Sequence, residues 1–130
     1  MIVDTSAVLA ILLQEPEAQR IAGAMECESL IRFPASCLLE ATITLLARNK
    51  DDGLRDLDLL VARAQMQIAS FTESHARLAR DAFRRYGKGW HPAQLNFGDC
   101  MTYALAKDSG EELLFKGTDF GLTDITPAPY

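Results

Sequence analysis

Four carboxylates stand at positions where an acidic side chain can do chemistry. Asp4 directly follows the apolar residues 1–3, and Asp119 follows another apolar stretch near the C-terminus. Glu40 and Asp99 fall in the first turns of predicted helices. Each has a structural explanation by itself, because an acid near a helix N-terminus contributes about 0.3–1 kcal/mol and Asp is common in turns. As a set they indicate a cation site, since crowded like charges are costly unless something positive lies between them.

The surroundings of these acids indicate which cation to expect. No His or Cys cluster accompanies them, and oxygen ligands alone favour Mg²⁺, with Mn²⁺ as a substitute, over zinc. The cysteines Cys27, Cys37 and Cys100 are widely spaced and form neither a zinc pattern nor a disulfide framework. We therefore expect them to be small buried hydrophobes of a cytoplasmic protein.

Short apolar strands alternate with helices along the chain and must position the four acids. The strands are predicted at residues 2–3, 30–33, 68–71 and 113–115, with a short fifth at 124–126. This alternation predicts an α/β fold with a parallel sheet covered by helices on both faces. Because ligands bind beyond the carboxyl ends of parallel strands, Asp4 is expected at the functional edge of the sheet.

Capping residues and apolar spacing predict six helices. Thr5 or Ser6 is expected to cap the first, over residues 7–14, and Pro16 to lie in the first turn of the second. The later helices are predicted from Ser36 to Asn49, from Leu54 to Gln67, from Thr72 to Tyr86 and from Gly98 to Lys107. Residues 51–53 are predicted as a turn. In the third helix, an apolar face is expected from the spacing of Leu39, Ile43 and Leu46.

Length and composition limit the class of protein. The 130 residues predict one domain over 1–130, and 48% apolar with 24% charged residues is typical of soluble globular proteins. No apolar run approaches the roughly 18 residues that a membrane span requires. The N-terminus has neither the basic region nor the cleavage site of a signal peptide. A membrane location is therefore not expected.

The charge of the chain is unevenly distributed. Its net charge is −5, which by itself argues weakly against a nucleic-acid partner. Residues 77–91, here called the basic stretch, nevertheless contain a single acid, Asp81. Its basic residues are Arg77, Arg80, Arg84, Arg85, Lys88 and His91. This segment is either a solvated helix face or a local surface for an anionic partner.

The motifs around the four acids resemble those of PIN-domain ribonucleases and, within them, the VapC-type toxins of bacterial type II toxin–antitoxin systems. The matching stretches are MIVDTSAVLAIL, SCLLEATITLLAR, YGKGWHPAQLNFGDCMTYALAK and LLFKGTDFGLTDI, which together extend over almost the whole chain. Many members carry two aspartates in the last motif, and residues 115–120 keep only the second of them.

The resemblance implies a three-layer α/β/α PIN-like fold with a short parallel central sheet, and a Mg²⁺-dependent endoribonuclease activity. Carried over residue by residue, Asp4 and Asp99 are the implied metal ligands. Glu40 and Asp119 are the implied third and fourth acids, acting directly or through water, and Ser6 is an implied supporting group behind them. Such a site suits phosphodiester hydrolysis, because a bound metal activates water and neutralises phosphate charge.

Candidate RNA contacts follow from the basic stretch and the loop after it. Arg84, Lys88 and His91 are the residues to which we assign this role, and Trp90 is predicted either to stack on a base or to pack. His75 is expected to be structural, because it lies outside every acid motif.

Three other interpretations of the acids are weaker. A haloacid-dehalogenase-like phosphatase needs a second Asp two residues after the first, and this position is Ser6. A receiver domain needs an acidic pair at the end of the first strand, and Thr5 follows Asp4. A degenerate PIN domain used as a non-catalytic protein- or RNA-binding scaffold would not need all four acids.

The resemblance also implies protein partners. We expect a VapB-type antitoxin that blocks the site, and a homodimer with one antitoxin on each subunit. An Arg of the antitoxin would pair well with the carboxylates, because its planar guanidinium binds them through two hydrogen bonds. Apolar residues of the first four helices, among them Leu9, Leu13, Ile21 and Leu46, are expected to offer a groove for an amphipathic antitoxin helix.

Overall fold

The computed structural model describes residues 1–48 and 51–130, in which strands and helices alternate as predicted. The strands are β1 (Ile2–Val3), β2 (Arg32–Pro34), β3 (Gln67–Ala69) and β4 (Leu113–Leu114). The helices are α1 (Thr5–Leu12), α2 (Ala18–Glu26), α3 (Ala35–Ala47), α4 (Asp51–Arg63), α5 (Glu73–Tyr86) and α6 (Phe97–Ser109), and a 3₁₀ turn (Phe120–Leu122) follows β4. None of these helices combines the length and the apolarity needed to cross a membrane.

The four strands form a parallel sheet in the order β3-β2-β1-β4. Ile2 in β1 pairs with Arg32 of β2 on one side and with Leu113 of β4 on the other. Parallel strands all end at the same edge of a sheet. The residues that follow β1, β2 and β4 are therefore brought to one edge, and these residues include Asp4.

Side chains of the central strands alternate between two cores. Ile2 and Leu113 pack against α5 and α6, whereas Val3 and Leu114 pack against the helices α1 to α4. All four side chains are fully buried. Burial on both faces explains why the strands are continuously apolar rather than alternating. The arrangement confirms the predicted three-layer α/β/α fold with a short parallel sheet.

The first two helices begin at other residues than predicted. Asp4, and not Thr5 or Ser6, caps α1, because its side chain accepts a hydrogen bond from the Ser6 amide. Pro16 lies before α2 rather than in its first turn. The sequence offered three adjacent capping types at residues 4–6, and only the backbone direction leaving β1 selects among them.

Three later boundaries also differ. Pro34 is the residue before α3, so that Ser36 lies inside the helix and does not cap it. Residues 51–53 belong to α4 instead of forming a turn. Asn96, rather than Gly98, precedes α6 and caps it through its side chain.

The C-terminal region does not add the predicted fifth strand. Near residues 124–126, the described chain forms only an isolated bridge between Leu113 and Pro127. The predicted end of the third helix, Asn49, lies outside the described residues.

The apolar face predicted for α3 points away from the core. Leu39, Ile43 and Leu46 are 60%, 58% and 44% exposed. The buried side chains of α3 are Cys37, Ala41 and Leu45. Apolar spacing identifies residues that share a face, but α3 carries apolar residues on two faces and only its neighbours decide which is covered.

One further prediction about burial is wrong. Cys27 is exposed at the end of α2, whereas Cys37 and Cys100 are buried as expected. Among the residues offered for a partner groove, where the sequence left open which belong to the core, Ile21 is fully buried in the core. It packs under the sheet and has no surface to offer a partner.

Candidate active site

Asp4 is built into the end of β1 by several hydrogen bonds. Its side chain is almost fully buried, at 5% exposure. Oδ2 accepts hydrogen bonds from the Ser6 amide at 2.9 Å and from the Ser6 hydroxyl at 2.6 Å. Oδ1 accepts a hydrogen bond from the Thr102 hydroxyl at 3.0 Å. Asp4 therefore caps α1 and also contacts α6, which is far from it along the chain.

Cys37 completes the inner side of this carboxylate. Its thiol lies 3.9 Å from Asp4 Oδ1 and 3.1 Å from the Thr102 hydroxyl. Burial and the adjacent Asp4 charge raise the pKa of Cys37 to about 12. The sulfur consequently stays protonated near neutral pH and acts as a weak donor, not as a metal ligand or nucleophile.

Glu40 on α3 lies between the start of α1 and the start of α6. Its Oε2 accepts a hydrogen bond from the Thr5 hydroxyl at 2.8 Å. A Cβ placed on Gly98 would lie 3.0 Å from the same oxygen. The absence of a side chain at Gly98 thus allows the first turn of α6 to approach the Glu40 carboxylate.

Asp99 occupies the first turn of α6 and faces the same region. Its Oδ2 accepts the Asn96 amide at 2.8 Å, while the Asn96 side chain accepts the Asp99 amide at 3.0 Å. The pKa of Asp99 is raised to about 6, first by burial and then by the carboxylates of Asp4, Glu40 and Asp119. The charges of Asp4, Glu40 and Asp119 thus act on the Asp99 carboxylate.

Asp119 is the outermost of the four acids. It is exposed and precedes the 3₁₀ turn after β4 without capping it through its side chain. Ser6 connects this segment to Asp4, since the Ser6 hydroxyl accepts the Lys116 amide at 3.0 Å while donating to Asp4. The Lys116 ammonium forms an ion pair with Glu15 at 2.5 Å. Lys116 therefore does not neutralise the four acids of the cluster.

The acids suit a hard cation that keeps part of its water. In residues 1–48 and 51–130, no three His, Cys, Asp or Glu side chains form a ready-made metal cage. Mg²⁺ is commonly held by one or two carboxylates and retains several waters, so it does not require such a cage. A carboxylate offers about four lone-pair positions. The two Ser6 bonds occupy Oδ2 of Asp4, whereas Oδ1 accepts one strong bond and retains capacity for a cation.

The predicted RNA contacts make no hydrogen bond or ion pair with the four acids in the described part of the chain. Arg84 is exposed and makes only a long ion pair of 3.9 Å with Asp81, and Lys88 is exposed in the loop after α5. His91 is half-buried, with its ring edge-on to Tyr86 at 5.1 Å. The structure brings the four acids and Ser6 together but does not bring these three residues into contact with them.

The remaining candidates divide between packing and surface roles. His75 is buried, and its Nε2 lies 3.1 Å from Asp108, consistent with the structural role predicted for it. Trp90 packs edge-on against Phe83 at 4.8 Å and donates a hydrogen bond to the Arg84 carbonyl. More than half of the indole is nevertheless exposed.

Sequence reasoning missed four residues that hold the acids. Thr5, Cys37, Gly98 and Thr102 bond to a carboxylate of the cluster or let one approach. Thr102 and Cys37 carried a usable signal, because Thr102 lies three residues after Asp99 and Cys37 three residues before Glu40, and such pairs share a helix face. The other contacts join segments that are far apart in the chain.

The chain is similar to PIN-domain proteins in both sequence and fold. A PIN domain family model matches residues 1–125. A ribonuclease VapC of Mycolicibacterium smegmatis is 46% identical over 125 residues, which are 96% of this chain and 97% of that protein. The crystal structure of VapC20 of Mycobacterium tuberculosis, a sarcin-ricin-loop-cleaving toxin, aligns with a TM-score of 0.79 at 14% identity over 99% of this chain and 98% of that one. A toxin-antitoxin complex from Klebsiella pneumoniae aligns with a TM-score of 0.73 at 17% identity, over 99% and 97% of the two chains.

Proposed function

Because the chain belongs to the PIN-domain family and, within it, to the VapC ribonucleases, we propose that it is a Mg²⁺-dependent endoribonuclease and the toxin of a type II toxin–antitoxin pair. The observation that carries this proposal is the convergence of three acids where β1, α3 and α6 meet: Thr102 of α6 donates to Asp4, and Glu40 of α3 lies against Gly98, the residue before Asp99. The raised pKa of Asp99, to which burial and the other three acids contribute, agrees with this arrangement. Such a cluster suits a divalent cation, which would in turn attract a phosphate.

The proposed metal ligands are Asp4 and Asp99, with Glu40 and Asp119 acting through water. When bound, Mg²⁺ lowers the pKa of a coordinated water and neutralises a non-bridging phosphate oxygen. The chain supplies the orientation. Ser6 holds Asp4 through Oδ2, and this leaves Oδ1 directed towards α6.

Hydrolysis forms a bond from water oxygen to phosphorus and breaks one phosphorus–ribose oxygen bond, so a proton must leave the water. Glu40 is the proposed acceptor. Its Oε2 is occupied by the Thr5 hydroxyl, and in the described part of the chain its Oε1 makes no hydrogen bond. The leaving ribose oxygen takes up a proton from solvent.

The proposed antitoxin would bind over apolar residues of the first four helices. Leu9 and Leu13 are half-buried and so retain accessible surface, whereas Leu46 is exposed on the outward face of α3. A cavity of about 390 Å³ lies between α1, α3 and α4 and includes Leu13. An Arg of the antitoxin that reached Asp99 would compete with the cation for the same oxygens.

A homodimer is proposed through the outward face of α3. Leu39, Ile43 and Leu46 form a stripe on that face and are 60%, 58% and 44% exposed. A cavity of about 280 Å³ is lined by Leu39, Ile43 and Thr44 of the same helix. Contiguous exposed apolar surface of this kind is typical of protein–protein interfaces, and a second copy of the chain offers the matching surface.

A cleavage assay with controlled metal tests the proposal. The purified chain, free of its antitoxin, is expected to cut total bacterial RNA with Mg²⁺ or Mn²⁺ and to stop when EDTA is present. The exposed α4 residue Asp58 offers a matched control, since Asp58→Asn removes one carboxylate far from the cluster and should leave cleavage intact. Undiminished cleavage in EDTA would exclude the metal. RNA binding without any cleavage at saturating Mg²⁺ would favour the non-catalytic scaffold.

A further inference from the structure

An apolar groove lies between α5 and the first turns of α6. It encloses about 650 Å³, and aromatic rings and small side chains form most of its walls. The aromatic residues are Phe71, Phe83 and Phe97, each of which exposes more than a third of its surface. The smaller apolar walls include Ala76, Ala79 and Met101. None of the residues that line the groove is acidic.

Two cations also line this groove, Arg80 and Lys88. In the described part of the chain, neither has a carboxylate within 4.0 Å. Other arginines of the basic stretch are paired, Arg77 with Glu73 at 2.5 Å and Arg85 with Asp124 at 3.3 Å. The unpaired positive charge of this stretch is therefore concentrated at the groove.

The groove borders the candidate active site. Phe97 and Met101 line both this groove and a smaller cavity that includes Glu40, and Asn96 and Cys100 of the groove flank Asp99 in sequence. A ligand in the groove and a phosphate at the acids would consequently be neighbours. Single-stranded nucleic acid matches this arrangement, because each of its phosphates lies beside a flat base.

We propose that the groove binds an unpaired nucleobase of RNA next to the cleaved phosphate, with Arg80 and Lys88 neutralising adjacent phosphates. This inference rests on the proposed function and adds to it a determinant of which sequence is cut. Single-stranded RNA is recognised by stacking its exposed bases on aromatic rings within a positive groove. An apolar peptide segment would use the rings but would gain nothing from two unpaired cations.

The test compares RNA with a base-free backbone. The probes are fluorescent ten-nucleotide homopolymers of A, C, G and U, and an abasic ribose-phosphate chain of equal length, all measured in EDTA to prevent cleavage. The unmodified chain is expected to bind at least one homopolymer about tenfold more tightly than the abasic chain, as stacking of one base provides.

Filling the groove should remove this preference. Ala79→Leu adds a good helix former to the wall and is expected to reduce the difference between the best homopolymer and the abasic chain to less than about twofold. Ala62→Leu, at an exposed position of α4, is the matched control and should keep the preference. If Ala79→Leu does not fold, Ala76→Leu at the exposed rim replaces it.

Removing the cations should act on the backbone instead. Arg80→Gln with Lys88→Gln is expected to weaken binding of all probes, the abasic chain included, and to reduce the salt dependence by about 1.4 in the log–log slope. Arg55→Gln on α4 provides the control for loss of positive charge elsewhere.

Each other outcome overturns the inference. The groove is not a base site if Ala79→Leu keeps the base preference, if it changes only the mass measured by light scattering, or if it weakens only antitoxin binding. Mg²⁺-dependent cleavage by a chain without base preference would leave the proposed function standing and remove this inference. If Ala79→Leu abolishes a base preference but the protein never cleaves RNA, this inference stands and the proposed function is removed.

Discussion

Asp4 and Asp99 belong to the same acidic cluster, and the protein holds them in different ways. Asp4 is buried and accepts hydrogen bonds from two Ser6 donors and from Thr102. Asp99 is only partly buried, and the described chain gives its side chain one hydrogen bond, from the Asn96 amide. Asp4 has donors that stabilise its negative charge, whereas the surroundings of Asp99 disfavour its charge.

This difference separates two contributions to a catalytic site. The inner carboxylate is part of the fold, because it caps α1 and links β1 to α6. The outer carboxylate, Asp99, is held by one backbone amide at the start of α6, and burial and three acids disfavour its charge, so an added cation would stabilise it. Substitutions on the two sides should therefore have similar effects on cleavage and different effects on stability.

The largest combined effect is expected for Asp4→Asn. An amide has one acceptor oxygen where the carboxylate has two, so at least one donor from Ser6 or Thr102 would meet an NH₂ group. We expect the free energy of unfolding to fall by about 1–3 kcal/mol. RNA cleavage should be lost, which denaturant titration and the cleavage assay measure together. Unchanged stability would mean that the hydrogen bonds of Asp4 are not part of the fold.

Asp99→Asn should abolish cleavage without a loss of stability. The amide keeps an acceptor for the Asn96 amide and removes a charge that three neighbouring acids disfavour. In EDTA the variant is expected to unfold at an equal or higher denaturant concentration than the unmodified chain. A clearly lower stability of Asp99→Asn would mean that Asp99, like Asp4, contributes to the fold.

The pH dependence of the unfolding free energy should differ between Asp99→Asn and the unmodified chain. The pKa of Asp99 is about 6 in the folded protein against 3.8 in a free side chain. The folded chain then binds more protons in this interval, so the contribution of Asp99 to stability falls as pH rises from about 4 to about 6. The difference in unfolding free energy between Asp99→Asn and the unmodified chain, both in EDTA, should increase over that interval and stay constant above it. A constant difference would contradict the raised pKa.

Thr102→Val tests the link between the two sides. Valine keeps the shape of threonine but removes the hydroxyl that donates to Asp4 Oδ1 at 3.0 Å. We expect a loss of about 1–2 kcal/mol in stability. Cleavage should fall by about tenfold, the loss expected when a group behind a metal ligand is removed. Thr102→Ser retains the hydroxyl and should restore most of the cleavage, which separates positioning from packing.

The smallest effect is expected for Asp119→Asn. Asp119 is exposed and does not cap the turn that follows it. Stability should change by less than about 0.5 kcal/mol, as for surface substitutions in general. Cleavage is expected to fall by about tenfold at limiting Mg²⁺ and to recover as Mg²⁺ is raised, because this acid is proposed to act through water. A complete loss at saturating Mg²⁺ would make Asp119 a direct ligand.

Local sequence signals were sufficient for much of the fold. A short apolar strand followed by Asp4, and apolar strands alternating with helices, predicted the parallel sheet and the edge at which the acids meet. Helix boundaries were less predictable. Residues 4–6 offer more than one acceptable cap, α3 begins before its one capping side chain, Ser36, and residues 51–53 look like a turn but begin α4. In these places several local solutions have similar energies, and tertiary packing selects one.

The sequence by itself determined which acids are present and, through strand and helix order, that Asp4, Glu40, Asp99 and Asp119 follow elements of one sheet. Only the tertiary structure decided what holds them. One of the two hydroxyls that donate to Asp4 comes from Thr102, 98 residues away, and the approach of α6 to Glu40 depends on the missing side chain of Gly98. Tertiary packing likewise turned the stripe Leu39, Ile43 and Leu46 outward. The physical reason is that helical spacing shows which residues share a face, whereas the direction of that face depends on how distant segments pack.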